Sequence, residues 1–118
     1  MKTIFICEYV TGGGYINKKI SKKLFVQANI ILKSLLNDFN KIPNLKIIYT
    51  WDYRYKEITK RKRTQCVFIK KNPWKIWSHL IKKSDFFFPI APESNGDLLK
   101  FVKFGNSQKK NLIGSNIV

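Results

Sequence analysis

Acidic residues are scarce in this chain: seven Asp and Glu stand against 23 Lys and Arg, a formal net charge of +16. Histidine occurs once, at His79, and cysteine twice, at Cys7 and Cys66. One histidine and two distant cysteines exclude a zinc site of the usual spacing, and no Ser/His/Asp or Cys/His set emerges. Both cysteines sit inside apolar runs, where reduced, core-packed cysteine is expected. No apolar run approaches the roughly 20 residues that span a bilayer. The start, Met1-Lys2-Thr3, carries one positive charge, and Glu8 cuts the apolar stretch after it, so a signal peptide is not expected. A cytoplasmic location follows as an expectation.

What the chain does have is a core. At 118 residues with 44% hydrophobic and 14% aromatic content, one globular domain spanning 1–118 is expected. The basic excess would ordinarily suggest nucleic acid. Here lysine outnumbers arginine 20 to 3, and the charges are spread from Lys18 to Lys110 instead of clustered. Lys, Asn and Ile together make 46 of the 118 residues, a composition that an AT-rich genome produces without any ligand. A solvated lysine surface is favoured over a nucleic-acid face, which stays open as the alternative, for nucleic acid or another polyanion.

The patterns alternate between strand and helix. Residues 3–9 read as a buried strand, followed by the turn Gly12-Gly13-Gly14. Ile20, Leu24, Ala28, Ile31, Leu32, Leu35, Leu36 and Phe39 then recur at helical spacing, with Ser21 as a cap for a late start and Pro43 as the stop. Strands follow at Leu45–Thr50, Cys66–Ile69, Asp85–Ile90 and Asn111–Ile113. Helices are predicted from Pro73 to Ile81 and from Asp97 to Phe104, the latter capped by Asn95 and broken at Gly105. The order implies an α/β fold with an open, mostly parallel, five-stranded sheet and helices on both faces.

In such sheets ligands gather at the carboxyl ends of the strands. The candidate site residues fall there: Glu8 and Tyr9 with Gly12, Gly13 and Gly14 after the first strand, Asp52 and Arg54 after the second, and Glu93 after the fourth. Three glycines ahead of a helix suggest an anion cradle, but neither the Walker A loop nor the dinucleotide fingerprint is present. A plain tight turn accounts equally well for the glycines alone. Glu8 shifts the balance toward a site, because a carboxylate ending a buried strand is costly unless paired or facing a polar cleft. Asp52 and Arg54, two apart, form either a surface ion pair or a shared ligand contact. Lys60–Arg63 reads as a solvated loop, and Trp74 with Trp77 as packing residues.

The opening Phe5-Ile6-Cys7-Glu8-Tyr9-Val10-Thr11-Gly12-Gly13-Gly14 resembles the "FEYxTGGG" start of a family of ATP-grasp ligases. Asp52-x-Arg54, Pro89-Ile90-Ala91-Pro92-Glu93 and Leu112-Ile113-Gly114-Ser115 resemble its later motifs, so the likeness runs from about residue 3 to residue 116. Cys7 departs from the phenylalanine usual at that position and is expected to affect packing only. The resemblance is to the Rossmann-like "pre-ATP-grasp" domain that comes first in such enzymes. It implies ATP-driven activation of a carboxylate to an acyl-phosphate, then attack by an amine to give an amide. ATP and magnesium would belong to a partner ATP-grasp domain, in cis or as a separate chain, because the residues that grip them are not matched here. This chain alone would hold no cofactor, no metal and no catalytic residue. Glu8, Tyr9 and Gly12–Gly14 would line the cleft facing that domain. Asp52, Arg54 and Glu93 would bind or orient the small amine or carboxylate substrate. A flavodoxin-type binding domain is a weaker third reading, with no cofactor signature behind it.

Overall fold

The computed structural model describes residues 1–58, 60–92, 96–108 and 111–112. Strand β1 (Lys2–Glu8) is followed by helix α1 (Lys22–Asn40), strands β2 (Leu45–Asp52) and β3 (Thr64–Ile69), helix α2 (Pro73–Lys83), strand β4 (Phe86–Ile90) and helix α3 (Asp97–Ser107). The four strands form an all-parallel sheet in the order β3-β2-β1-β4. A two-residue segment, β5 (Asn111–Leu112), pairs with Phe86 and Phe87 at the outer edge of β4. The expected fifth strand is thus seen as two residues, and Ile113 lies outside the described ones.

Both faces of the sheet are covered, which is why its strands read as nearly continuous apolar runs. Alternation along β1 sends Ile4 and Ile6 to one face, against Leu32 and Leu36 of α1, and Phe5 and Cys7 to the other, against Trp77 of α2 and Phe101 of α3. Phe5 stacks on Phe87 of the neighbouring strand at 5.5 Å, and Trp77 meets Phe101 edge-on at 4.9 Å. These rings close the second core.

Helix α1 starts late, as Ser21 suggested: its hydroxyl accepts from the Leu24 amide at 3.2 Å. Ser21→Ala should cost about 1 kcal/mol, the usual worth of such a cap. Chemical denaturation would show it as a lower midpoint at an unchanged slope. Helix α2 begins on Pro73, whose missing N–H costs nothing at that position.

Three local expectations give way. Helix α3 does not break at Gly105 but continues to Ser107. There the Ser107 hydroxyl donates to the Phe104 carbonyl and the Gln108 amide reaches Phe104 and Gly105, so the last turn is tied down despite the glycine. Its N-cap position is Gly96, in the left-handed region and without a side-chain cap; Asn95 lies outside the described residues. Trp51 and Asp52 belong to β2 itself, paired with Phe68 and Ile69 of β3.

Candidate functional site

The strand order places a switch point between β1 and β4. The chain leaves β1 for α1 on one face of the sheet and leaves β4 for α3 on the other. Diverging connections open a crevice between the two strand ends, where ligands bind in folds of this kind. A cavity of about 190 Å³ lies there. Glu8, Val10, Ile90, Ala91 and Pro92 line it from the strand ends, and Leu24, Gln27, Ala28 and Ile31 from α1. A larger hollow of about 670 Å³ opens at the opposite, amino edge, between Met1, Ile42 and Phe86. That one is open, lined also by Lys2, Asn44 and Asp85, and none of the candidate residues reaches it.

Among the described residues Glu8 is the one ionisable group that lines the switch-point cavity, and it is only 2% exposed. Its Oε1 accepts from the Thr11 amide at 2.6 Å and from the Thr11 hydroxyl at 3.0 Å. Those bonds favour the carboxylate, yet burial outweighs them and pushes the pKa up to about 7. Among the described residues no cation pairs with it. In a chain so rich in lysine, an unpaired buried acid is conspicuous.

The glycine turn is built against the protein itself. A Cβ on Gly12 would stand 2.5 Å from the Glu8 carbonyl, and one on Gly14 about as close to the Tyr9 ring. Gly13 has φ +107° and lies against Ile69, so a side chain there would be both strained and crowded. The Gly12 amide donates to the Glu8 carbonyl, the Gly14 amide to the Tyr9 carbonyl, and Trp77 Nε1 to the Gly12 carbonyl. Helix α1 begins only at Lys22, so the turn does not run into a helix N-terminus. The anion cradle is therefore not formed.

Asp52 and Arg54 come together at the same edge. The Arg54 guanidinium makes a bidentate contact with the Asp52 carboxylate, Nη2 to Oδ2 at 2.6 Å and Nε to Oδ1 at 3.0 Å. Its remaining donors reach the carbonyls of Tyr15 and Lys18, both at 2.8 Å. Asp52 is fully buried, and its amide donates to the Thr11 carbonyl. This pair ties the segment after the glycines to the end of β2. Asp52 also raises the guanidinium pKa through that contact.

Tyr9 points away from Glu8, into the aromatic cluster of Trp74, Trp77 and Phe101. Glu93 lies outside the described residues. The structure thus brings Glu8 to the cavity and joins Asp52 with Arg54 beside the turn, while Tyr9 faces the opposite core. Leu24, Gln27, Ala28 and Ile31 were missed as cavity residues by sequence reasoning. Their helical spacing marked all but Gln27 as core; Gln27, one turn before Ile31, was the available signal.

The described residues do not fit a nucleotide with its metal. The Thr11, Gly12 and Gly14 amides are engaged within the chain, and no group of three His, Cys, Asp or Glu among the described residues could hold an ion. No helix of the described residues is long and apolar enough to cross a membrane.

A family model for the pre ATP-grasp 3 domain matches residues 45–117, more than half of the chain. The chain belongs to the pre-ATP-grasp family. The matched stretch begins with β2 and contains Asp52 and Arg54, whereas Glu8 and the glycine turn precede it. No curated protein and no solved structure matches the chain. Membership suggests a part of an ATP-grasp ligase and implies a partner ATP-grasp domain, in cis or in trans.

Proposed function

We propose that this pre-ATP-grasp domain forms the substrate wall of an ATP-dependent carboxylate–amine ligase. The observation that carries the reading is the Glu8 cavity at the switch point of a chain in this family. Its sheet, with β5 as outer strand, is read as the five-stranded Rossmann-like sheet of such domains. Glu8 supplies the one ionisable contact, while Asp52 and Arg54 act as positioning residues that hold the Thr11–Lys18 segment in place. Gly12, Gly13 and Gly14 let that segment pack closely against Thr50, Ile69 and Tyr9. ATP and magnesium are assigned to the partner domain, and the ligase would work in the cytoplasm. The opening residues also resemble the start of tyramine–glutamate ligase, a likeness that supports the reaction class and not a particular pair of substrates.

Nucleic-acid binding draws on the net charge alone, and the exposed lysines of the described residues are spread over the start of β1, the three helices and the loops. The test of the ligase reading is an assay of this chain joined or mixed with an ATP-grasp catalytic domain. With ATP, magnesium and a panel of carboxylates and amines, ADP release should depend on both substrates and yield an amide by mass spectrometry. ADP release indifferent to amine and carboxylate, with no amide formed, would contradict it.

A further inference from the structure

A carboxylate–amine ligase must hold two substrates. We infer that the cavity at the switch point is the amine subsite: it takes a protonated primary amine with a small apolar body, with Glu8 as counter-ion, Gln27 as the polar group at the mouth, and Leu24, Ala28 and Ile31 as the walls that set its size. The inference rests on the ligase reading for its biological sense, but the binding itself does not need it.

Four observations point the same way. Among the described residues the cavity walls are mostly apolar and hold a single carboxyl, so an ionised Glu8 would repel a ligand carboxylate. Glu8 keeps one oxygen on Thr11 and has no cation partner among the described residues, which leaves its charge for a ligand to balance. The volume, about 190 Å³, exceeds the about 150 Å³ that houses benzene in an apolar engineered cavity, room for about six carbons and a head group. Gln27 is exposed on α1 one turn from Ile31, where its carbonyl can accept a second ammonium N–H.

The groups facing Glu8 set the pH response. From α1 they are Leu24, Gln27, Ala28 and Ile31, and from β4 and its exit Ile90, Ala91 and Pro92, none of them charged. On the β1 side, Cys7 is a buried thiol whose own pKa is raised well above the ordinary value, so it stays neutral. The turn contributes Thr11, a neutral donor. Among the described residues Glu8 is therefore the group whose ionisation controls ammonium binding. With its pKa at about 7, binding strengthens as pH rises from 6 to 8, where a simple alkylamine of pKa about 10.4 remains protonated.

The experiment is a calorimetric or NMR titration of the full chain with n-butylammonium, 1-butanol and butyrate, at pH 6 and pH 8 and physiological ionic strength. Butylammonium should bind at least about tenfold more tightly than butanol at pH 8, and about tenfold more weakly at pH 6. Glu8→Gln should abolish the preference over butanol and the pH dependence. Ile31→Trp, on an exposed helix face, should block the mouth and weaken both ligands, and it decides the matter if the Glu8 variant does not fold. The net charge of +16 repels cations in general, so ammonium binding here reports a specific site. Butanol or butyrate binding as well as butylammonium, no ammonium binding at all, or a folded Glu8→Gln chain that binds like the parent would overturn the inference. The titration uses no ATP and no catalytic partner. Amide formation without ammonium binding here would sink only this inference, and ammonium binding without ligation only the ligase reading.

Discussion

Replacing Arg54 with alanine is expected to destabilise the chain by about 3 kcal/mol, seen as a lowered denaturation midpoint. Asp52 is fully buried, and Arg54 supplies the charge that pairs with it. Removing one partner of such a pair typically costs about 3–5 kcal/mol, because the other charge is left in a medium that solvates it poorly. The guanidinium keeps 29% of its side-chain surface exposed, so water would partly replace it and the lower end applies. Two carbonyls, Tyr15 and Lys18, would also lose their donor. Arg54→Lys provides the control. It keeps the charge but not the planar fork, so it should recover less than half of the loss. Full recovery by lysine would mean that charge alone, and not the fork joining β2 to the loop, holds this edge.

Glu8→Gln should do the opposite above neutral pH. Burial raises the Glu8 pKa from 4.5 to about 7, so between those values the folded state binds more protons than the unfolded one. Stability in the parent chain is therefore highest, for this group, below about pH 4.5 and falls as pH rises to about 7. The fall is about 3 kcal/mol, at about 1.4 kcal/mol for each tenfold change in proton affinity. Gln keeps an oxygen for Thr11 and carries no charge, so the variant should gain on the parent by about 3 kcal/mol between pH 4.5 and pH 8. Urea melts at those two pH values measure the difference directly. A residue that weakens the fold at working pH is the kind retained for a ligand.

Much of this architecture was legible in the sequence. The continuous apolar runs marked the buried strands, because a sheet covered on both faces has no polar side to show. The spacing from Ile20 to Phe39 marked the buried stripe of α1, and Ser21 its start. Gly105 misled because a glycine near a helix end commonly stops it, whereas contacts from Ser107 and Gln108 hold the last turn here. The parallel strands do end on one edge, but sequence spacing does not reveal what fills it. The loop after the glycines folds back over that edge, its carbonyls pinned by Arg54, Trp77 and Asp52, while the Gly12 and Gly14 amides turn back to the Glu8 and Tyr9 carbonyls. Tyr9 follows Glu8 directly, so alternation turned it toward the opposite core. The α1 residues of the cavity were hidden because a core stripe and a cavity wall share one pattern.

The most direct measurement is an NMR titration of the Glu8 carboxyl carbon in the ligand-free chain. A buried acid without a cation partner among the described residues, at the switch point between β1 and β4, is the centre of the proposed site. Such an acid should titrate with a midpoint near 7, absent from Glu8→Gln spectra and lowered when butylammonium is present. A midpoint near 4.5, unmoved by the amine, would show that Glu8 is already solvated or paired. That result would remove the reason to read this cavity as a site.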